Sequence, residues 1–184
     1  MARGKYSRDY RLIEKFQADG RVKTDYEYIG NPWYYCEDSD AVRKGKRKVL
    51  VLTLLAAAAF ISALFPYTGM MKRLWIALPF IFTAVPLFLT GELAFSMLTW
   101  HEPLEHRHAD KLNNGYPPRT LIISILSFAA LAGEIIYVFT DGIFAAGDVV
   151  MLVCTAVIFL CGVFLFRMRN TFCAEERKKK KKKH

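Results

Sequence analysis

Two acidic residues, Glu92 and Glu134, lie inside long apolar runs of this 184-residue chain. A charged side chain in the middle of a bilayer costs about 2.5–3.5 kcal/mol on insertion scales, so such residues normally face protein or water. A carboxyl group in a medium of low dielectric favours its neutral form. It can then hold helices together through hydrogen bonds, or it can take up and release a proton or cation. The sequence leaves both interpretations open.

A polar stripe surrounds Glu134 when the third apolar run is drawn as a helix, and it fits within an arc of about 100°. Its members are Thr120, Ser127, Ala130, Glu134, Tyr137 and Asp141. We predict that this stripe forms a buried or hydrated seam through most of the membrane. Glu134 is the first candidate for an ion-binding residue, with Ser127, Tyr137 and Asp141 in support.

Glu92 has different surroundings, because its helix face carries the apolar side chains of Val85, Phe88 and Phe95. The stripe that contains Pro79 and Pro86 points nearly the other way. We therefore predict that the second apolar run has contacts on two sides, one within the monomer and one across a dimer. Glu92 is a second candidate for an intramembrane polar site.

Three of the four histidines fall within eight residues, at His101, His106 and His108, and Glu105 lies between them. Imidazole and carboxylate groups are ligands for zinc and related metals. The spacing matches neither HExxH nor HxxEH, and Pro103 interrupts the helix that those motifs need. One interpretation is a metal site formed by these four side chains. The interpretation that we favour is a solvated loop with mild pH sensitivity.

The elements that must position these residues are four apolar runs, each long enough for a helix to cross about 30 Å of hydrocarbon. They lie at Val49–Tyr67, Leu74–Thr99, Thr120–Thr140 and Val149–Phe166. Short connections between them predict an all-α integral membrane protein with a four-helix transmembrane bundle. Pro79 and Pro86 should kink the second helix. The alanines at Ala56–Ala59 should allow a neighbouring helix to pack closely on the first. The fourth helix is almost featureless.

Basic residues mark one side of the membrane. Of the 26 lysines and arginines, all but Lys72 and Arg73 lie before the first run, between the second and third, or after the fourth. This bias predicts a multi-pass protein of the plasma membrane with both termini in the cytoplasm.

The net charge of +9 is explained by attraction to anionic lipid head groups, at about 1 kcal/mol per basic residue near the surface, rather than by nucleic acid. The predicted head-group contacts are Arg43, Lys44, Lys46, Arg47 and Lys48.

The polar segment before the membrane has the pattern of a β-hairpin rather than of a cleavable signal. Tyr10–Phe16 and Val22–Ile29 are the predicted strands, joined by a tight turn at Ala18–Arg21. Trp33–Tyr35 is expected to form a third strand or to lie in the head-group layer, and Asp38 or Ser39 to cap the first long helix. The predicted divisions are residues 1–40 for the hairpin segment, 41–168 for the bundle and 169–184 for a basic cytosolic tail.

No GxGxxG, Walker, GxSxG or CxxC motif occurs in the chain, so we expect no catalytic residue and no cofactor. Reduced, structural thiols are expected for the four cysteines. The favoured function is a non-catalytic interaction, accessory or regulatory component of the membrane, with a membrane protein or a second copy as its partner. The alternatives are a small oligomeric transporter coupled to protons or cations through Glu134, and a metal-binding membrane enzyme that uses the histidine-rich loop.

Overall fold

The computed structural model describes residues 9–16, 22–66, 68–141 and 145–176 of the chain. Within these residues, four helical segments are long and apolar enough to cross a membrane, as the sequence predicts. The helices are α1 (Ser39–Leu64), α2 (Leu74–Phe82), α3 (Ala84–Thr99), α4 (His106–Asp110), α5 (Tyr116–Asp141) and α6 (Ala146–Arg167), and the second segment consists of α2 and α3 together. The strands are β1 (Tyr10–Phe16), β2 (Val22–Tyr28), β3 (Trp33–Tyr35) and β4 (Ala174–Glu176).

The first long helix starts well before its apolar run. Asp38 occupies the N-cap position with extended dihedral angles (φ −62°, ψ 146°), and Asp40 lies in the first turn, where a carboxylate interacts favourably with the helix dipole. From Ser39 the helix continues through the basic cluster to Leu64 without a break. The predicted start is therefore confirmed, although no side chain makes the capping hydrogen bond.

The second crossing segment is interrupted at Thr83, between its two prolines. Each proline lacks an N–H group, so the helix is weakened on both sides of this residue. The hydroxyl group of Thr83 donates a hydrogen bond to the carbonyl of Pro79 at 2.8 Å. The backbone N–H of Thr83 reaches the carbonyls of Pro79 and Phe80 at 3.2 and 3.1 Å. The prolines thus divide this segment into α2 and α3.

The long helices pack as a bundle around α5 and α6. Helix α5 contacts α6, α2 and α3, and α1 contacts α6 and α3. Small residues bring these helices close together, because Ala56, Ala59 and Ala63 of α1 are all buried. A Cβ atom at Gly162 of α6 would lie only 2.9 Å from Oγ of Ser124 on α5. The predicted close packing of the alanine-rich helix is confirmed.

Two small antiparallel sheets complete the fold. Strands β1 and β2 pair from Tyr10 opposite Tyr28 to Phe16 opposite Val22, so the predicted hairpin is confirmed, while its turn lies outside the described residues. Strand β3 is the predicted third strand, and its partner is β4 near the end of the described chain, with Tyr35 opposite Ala174. The sequence pattern did not predict β4, because it assigned this segment to a separate basic tail.

Candidate functional site

Segments from the start, middle and end of the chain meet at one end of the bundle. We call this region the cap, and it consists of strands β1 to β3, the loop 100–115 and the segment 168–176. Trp33 exchanges two backbone hydrogen bonds with Leu104, at 3.1 and 2.8 Å. Asn113 accepts from the N–H of Ala174 at 3.0 Å and donates to the carbonyl of the same residue at 2.8 Å. These bonds connect the loop to β3 and to β4.

Two of the three histidines of the loop, His106 and His108, pack against aromatic rings in the cap. Nδ1 of His106 lies 2.8 Å from Oδ2 of Asp9, and its ring stacks on Trp33 with the centroids 5.4 Å apart. His108 stacks on Trp100 at 4.3 Å, and His101 is exposed. Among the described residues, the structure does not bring these rings and Glu105 together as a ligand set. Instead, His106 helps to anchor the hairpin.

Two tyrosines at the open end of the hairpin bind the same loop. The hydroxyl of Tyr10 donates to the carboxylate of Glu105, and the hydroxyl of Tyr28 accepts from the N–H of His106 at 3.0 Å. Burial, followed by the Glu105 carboxylate, raises the pKa of Tyr10, so its hydroxyl remains a donor throughout the physiological range. Glu105 therefore has a docking role in this structure.

A group of three ligand-type side chains lies where β3 ends and β4 begins. The thiols of Cys36 and Cys173 and the carboxylate of Glu175 place their donor atoms within 4.8 Å of one another. The backbone N–H of Cys36 donates to the carbonyl of Cys173 at 2.9 Å, which continues the pairing of the two strands. No local pattern could reveal this group, because its two cysteines are 137 positions apart in the sequence.

The basic residues at the start of α1 line two different cavities. Arg43, Lys46 and Arg47 line one of about 430 Å³ beside α3 and the cap. Lys44, Arg47 and Lys48 line a groove of about 820 Å³ beside α6. The five predicted head-group contacts thus point to two sides of the helix, which the sequence alone did not show.

The polar stripe of α5 is buried inside the bundle. Thr120, Ser127, Ala130 and Tyr137 are all buried, as is Glu134. The side chain of Asp141 lies outside the described residues. One oxygen of Glu134 accepts a hydrogen bond from the Thr155 hydroxyl at 2.7 Å, and the other has no partner in the described part of the chain. The predicted buried seam is present from Thr120 to Tyr137.

Helix α6 supplies the polar partners that sequence reasoning missed. Thr155 and Asp148 are both buried and lie seven positions apart, on one face of α6. Oδ2 of Asp148 accepts from the N–H of Ala145 at 3.0 Å, and Oδ1 has no partner among the described residues. The spacing of these two residues was the available signal, but the strongly apolar character of the helix concealed it.

Glu92 is on the outer surface of the bundle, apart from Glu134. It is exposed on α3, together with Val85, Phe88 and Phe95. The contact of this face across a dimer stays a prediction. The structure therefore does not gather the two intramembrane carboxyl groups into one site.

Comparison with known proteins gives no family model, curated protein or solved structure that matches this chain.

Proposed function

We propose that this protein is a non-catalytic interaction component of the plasma membrane, accessory or regulatory in role, and that its partner binds the hairpin of the cap. In this proposal, the four apolar helical segments anchor the protein in the bilayer. The distribution of lysine and arginine supports a cytoplasmic position for the cap, with both termini on the same side.

The observation that carries this proposal is the exposed apolar pair on the hairpin. Leu12 and Tyr26 lie opposite each other in the strand register. They are 54% and 68% exposed, although each is a large hydrophobic side chain. In the described structure this sheet has only two strands, so each strand keeps one edge without a neighbouring strand. A two-stranded hairpin is only marginally stable in water, and the contacts to the loop hold only the open end of this one, so a partner along the strands would stabilise it further.

The chemistry of the hairpin suits a protein partner. A strand of the partner can add to a free edge through backbone hydrogen bonds, while side-chain contacts give specificity. Leu12 and Tyr26 provide apolar area for such contacts, and tyrosine is common at the centres of protein interfaces. Tyr10 and Tyr28 attach the open end of the hairpin to the loop, while Leu12 and Tyr26 stay exposed two residue pairs further along the strands.

A site-specific crosslinking experiment in native membranes tests this proposal. A photoreactive amino acid at position 12 should crosslink one discrete partner, whereas the same group at position 27, on the opposite hairpin face, should not. Leu12→Ser should reduce partner recovery about tenfold, and the matched variant Glu27→Ser should leave it within twofold of the wild type. Recovery of the protein alone, or equal effects of the two variants, would remove the proposal.

A second function, transport coupled to protons or cations, is favoured by one feature of Glu134. This side chain is completely buried, and one of its oxygens has no partner among the described residues. Such a group can bind a proton or cation if the bundle opens, with Ser127, Tyr137 and Thr155 nearby on the same seam. Vesicles containing the purified protein should then show a flux that Glu134→Gln abolishes and Glu92→Gln preserves. Equal flux for all three proteins would remove this candidate.

A further inference from the structure

A cavity of about 430 Å³ lies where helix α1 passes the end of α3 and the cap. Its size is within the range of small-molecule sites. The wall is built from cationic, aromatic and polar side chains. These include Arg43, Lys46, Arg47, Tyr35, Trp100 and Glu102.

The cationic groups of this cavity outweigh its acidic groups. Glu102 offsets one cation, and it also accepts the backbone N–H of Tyr35 at 3.1 Å. Arg43 lies 3.6 Å from Asp40, so Lys46 and Arg47 together leave one positive charge in excess once Glu102 is counted. Lys46 is held in place by its hydrogen bond to the carbonyl of Trp100, at 2.7 Å. The cavity therefore favours an anionic group.

Tyr35 gives an independent indication of a polar ligand. Its side chain is only 6% exposed, and it lines the cavity. Its hydroxyl has no hydrogen-bond partner in the described part of the chain. A buried hydroxyl without a partner destabilises the folded protein, so such groups are uncommon unless a ligand or solvent satisfies them.

An apolar groove of about 230 Å³ continues along the same pair of helices. On α1 it follows the cavity residues, from Leu50 to Ile61, and on α3 it runs from Ala84 to Phe95. At 1.5 Å per residue, the α1 side of this groove extends over about 16 Å. Gly91 borders open space in the groove, since a Cβ atom there would have its nearest neighbour, Cγ2 of Thr53, at 3.8 Å.

We propose that this cavity and groove together bind one phospholipid with an anionic head group. The phosphodiester lies between Lys46, Arg47 and the Tyr35 hydroxyl, and one acyl chain lies in the groove between α1 and α3. A free phosphate ion would use only the cavity, whereas a lipid uses both parts. The cavity is at the level where basic residues and Trp100 are expected to meet the head groups.

This site goes beyond the proposed partner binding by the hairpin, and it rests only on insertion of the bundle into a membrane. The full-length protein in neutral detergent, titrated with phosphatidylglycerol and followed by native mass spectrometry, tests it. We expect binding at least tenfold tighter than that of phosphatidylcholine. Glycerol phosphate, which carries the anion without acyl chains, should compete at least a hundredfold more weakly than the lipid.

Four variants divide the site into its parts. Lys46→Gln and Tyr35→Phe should each weaken phosphatidylglycerol binding about tenfold, because each removes a hydrogen bond to a charged group. Gly91→Leu fills the groove and should weaken the lipid about tenfold while leaving glycerol phosphate unchanged. Lys44→Gln is the matched control, because it removes the same charge from the other side of α1.

Three results would overturn the proposal. Equal losses for Lys44→Gln and Lys46→Gln would show attraction to surface charge alone. Equal affinity for the two lipids would show that the head group is not recognised, and full competition by glycerol phosphate would identify a soluble phosphate site. Melting temperatures within 3 °C of the wild type confirm that each variant is folded. Leu12→Ser should leave lipid binding unchanged, so failure of this site and failure of the hairpin proposal are distinguishable.

Discussion

At the scale of single residues, the hydrogen bond between Thr155 and Glu134 is the clearest polar contact inside the bundle. It joins α6 to α5 at 2.7 Å, and both side chains are fully buried. Removing one partner leaves the other buried without its bond, whereas replacing both with apolar groups of similar shape can be nearly neutral. The contact therefore predicts a non-additive pair of substitutions.

Thr155→Val should lower the free energy of unfolding by about 1–3 kcal/mol, because it leaves the Glu134 carboxyl group without its described donor. The double variant Thr155→Val with Glu134→Leu should recover most of this loss, with a coupling of about 0.5–2 kcal/mol. Unfolding in mixed micelles of neutral detergent and dodecyl sulfate measures these changes. Thr140→Val, at an exposed threonine of α5, is the control and should have little effect. Additive losses would contradict the role given to this bond.

At the scale of secondary-structure elements, the pairing of β3 with β4 determines how the tail meets the hairpin segment. Cys36 and Cys173 continue that register, with their ligand atoms within 4.8 Å. Mild oxidation with copper phenanthroline should therefore link them within one chain, and peptide mass spectrometry would identify the product. Cys154 and Cys161, on helix α6, should not be linked to either of them.

The same crosslink should depend on pH in a defined direction. Burial, and then the neighbouring Cys173, raises the pKa of Cys36 to about 12. Because the thiolate is the reactive form, its fraction at pH 7 is below that of a free cysteine and increases about tenfold per pH unit up to the pKa. The rate should keep rising from pH 7 to pH 10. Efficient alkylation of both thiols without any crosslink would contradict the pairing.

The close approach of α5 and α6 predicts that a larger side chain at Gly162 is destabilising. A side chain at Gly162 would collide with Ser124, since an added Cβ atom lies 2.9 Å from its Oγ and 3.2 Å from its backbone nitrogen. Gly162→Val should lower the free energy of unfolding by about 1–3 kcal/mol through overpacking. Gly91→Ala is the matched control, because its new Cβ atom meets only ordinary contacts. Equal effects of the two variants would show that α5 and α6 are less closely packed.

The sequence predicted those elements whose signals are local. Apolar length gave the four helices, alternation gave the hairpin, and the two prolines gave a kink in the second segment, although not its position at Thr83. Helical spacing also gave the buried face of α5 around Glu134. Strand β4 was missed because its partner, β3, is about 140 positions away and only three residues pair. Thr155 was missed for a different reason, since the strongly apolar character of its helix concealed the seven-residue spacing from Asp148.

The histidine-rich loop shows a different limit of sequence reasoning. Its composition suited both a metal site and a solvated loop, but the structure uses two of its histidines against aromatic side chains of the cap. Stacking of His106 on Trp33 depends on where the hairpin docks, and that position is a property of the tertiary structure. The residue types indicated a polar role for the loop. The tertiary contacts decided that this role is packing in the cap.

At the scale of the whole molecule, the composition of the cap is consistent with four membrane crossings. The cap brings together strands near the start of the chain, the connection between α3 and α5, and the segment after α6. These segments can meet on one side of a membrane only if the chain crosses it an even number of times between one segment and the next. Basic residues are concentrated in and next to these same segments, so the cap is expected on the cytoplasmic side.

Labelling of single cysteines in intact cells tests this topology. Glu37 and Lys72 are both exposed and lie beyond opposite ends of α1, whose 26 residues span about 39 Å. In a background without the native cysteines, a membrane-impermeant maleimide should label Lys72→Cys directly and Glu37→Cys only after permeabilisation. Each variant is the control for the other, because each reports on one side of the membrane. Labelling of both variants before permeabilisation would place the two ends of α1 on the same side of the membrane. Labelling of Glu37→Cys alone would place the cap, with its hairpin and its lipid cavity, outside the cell.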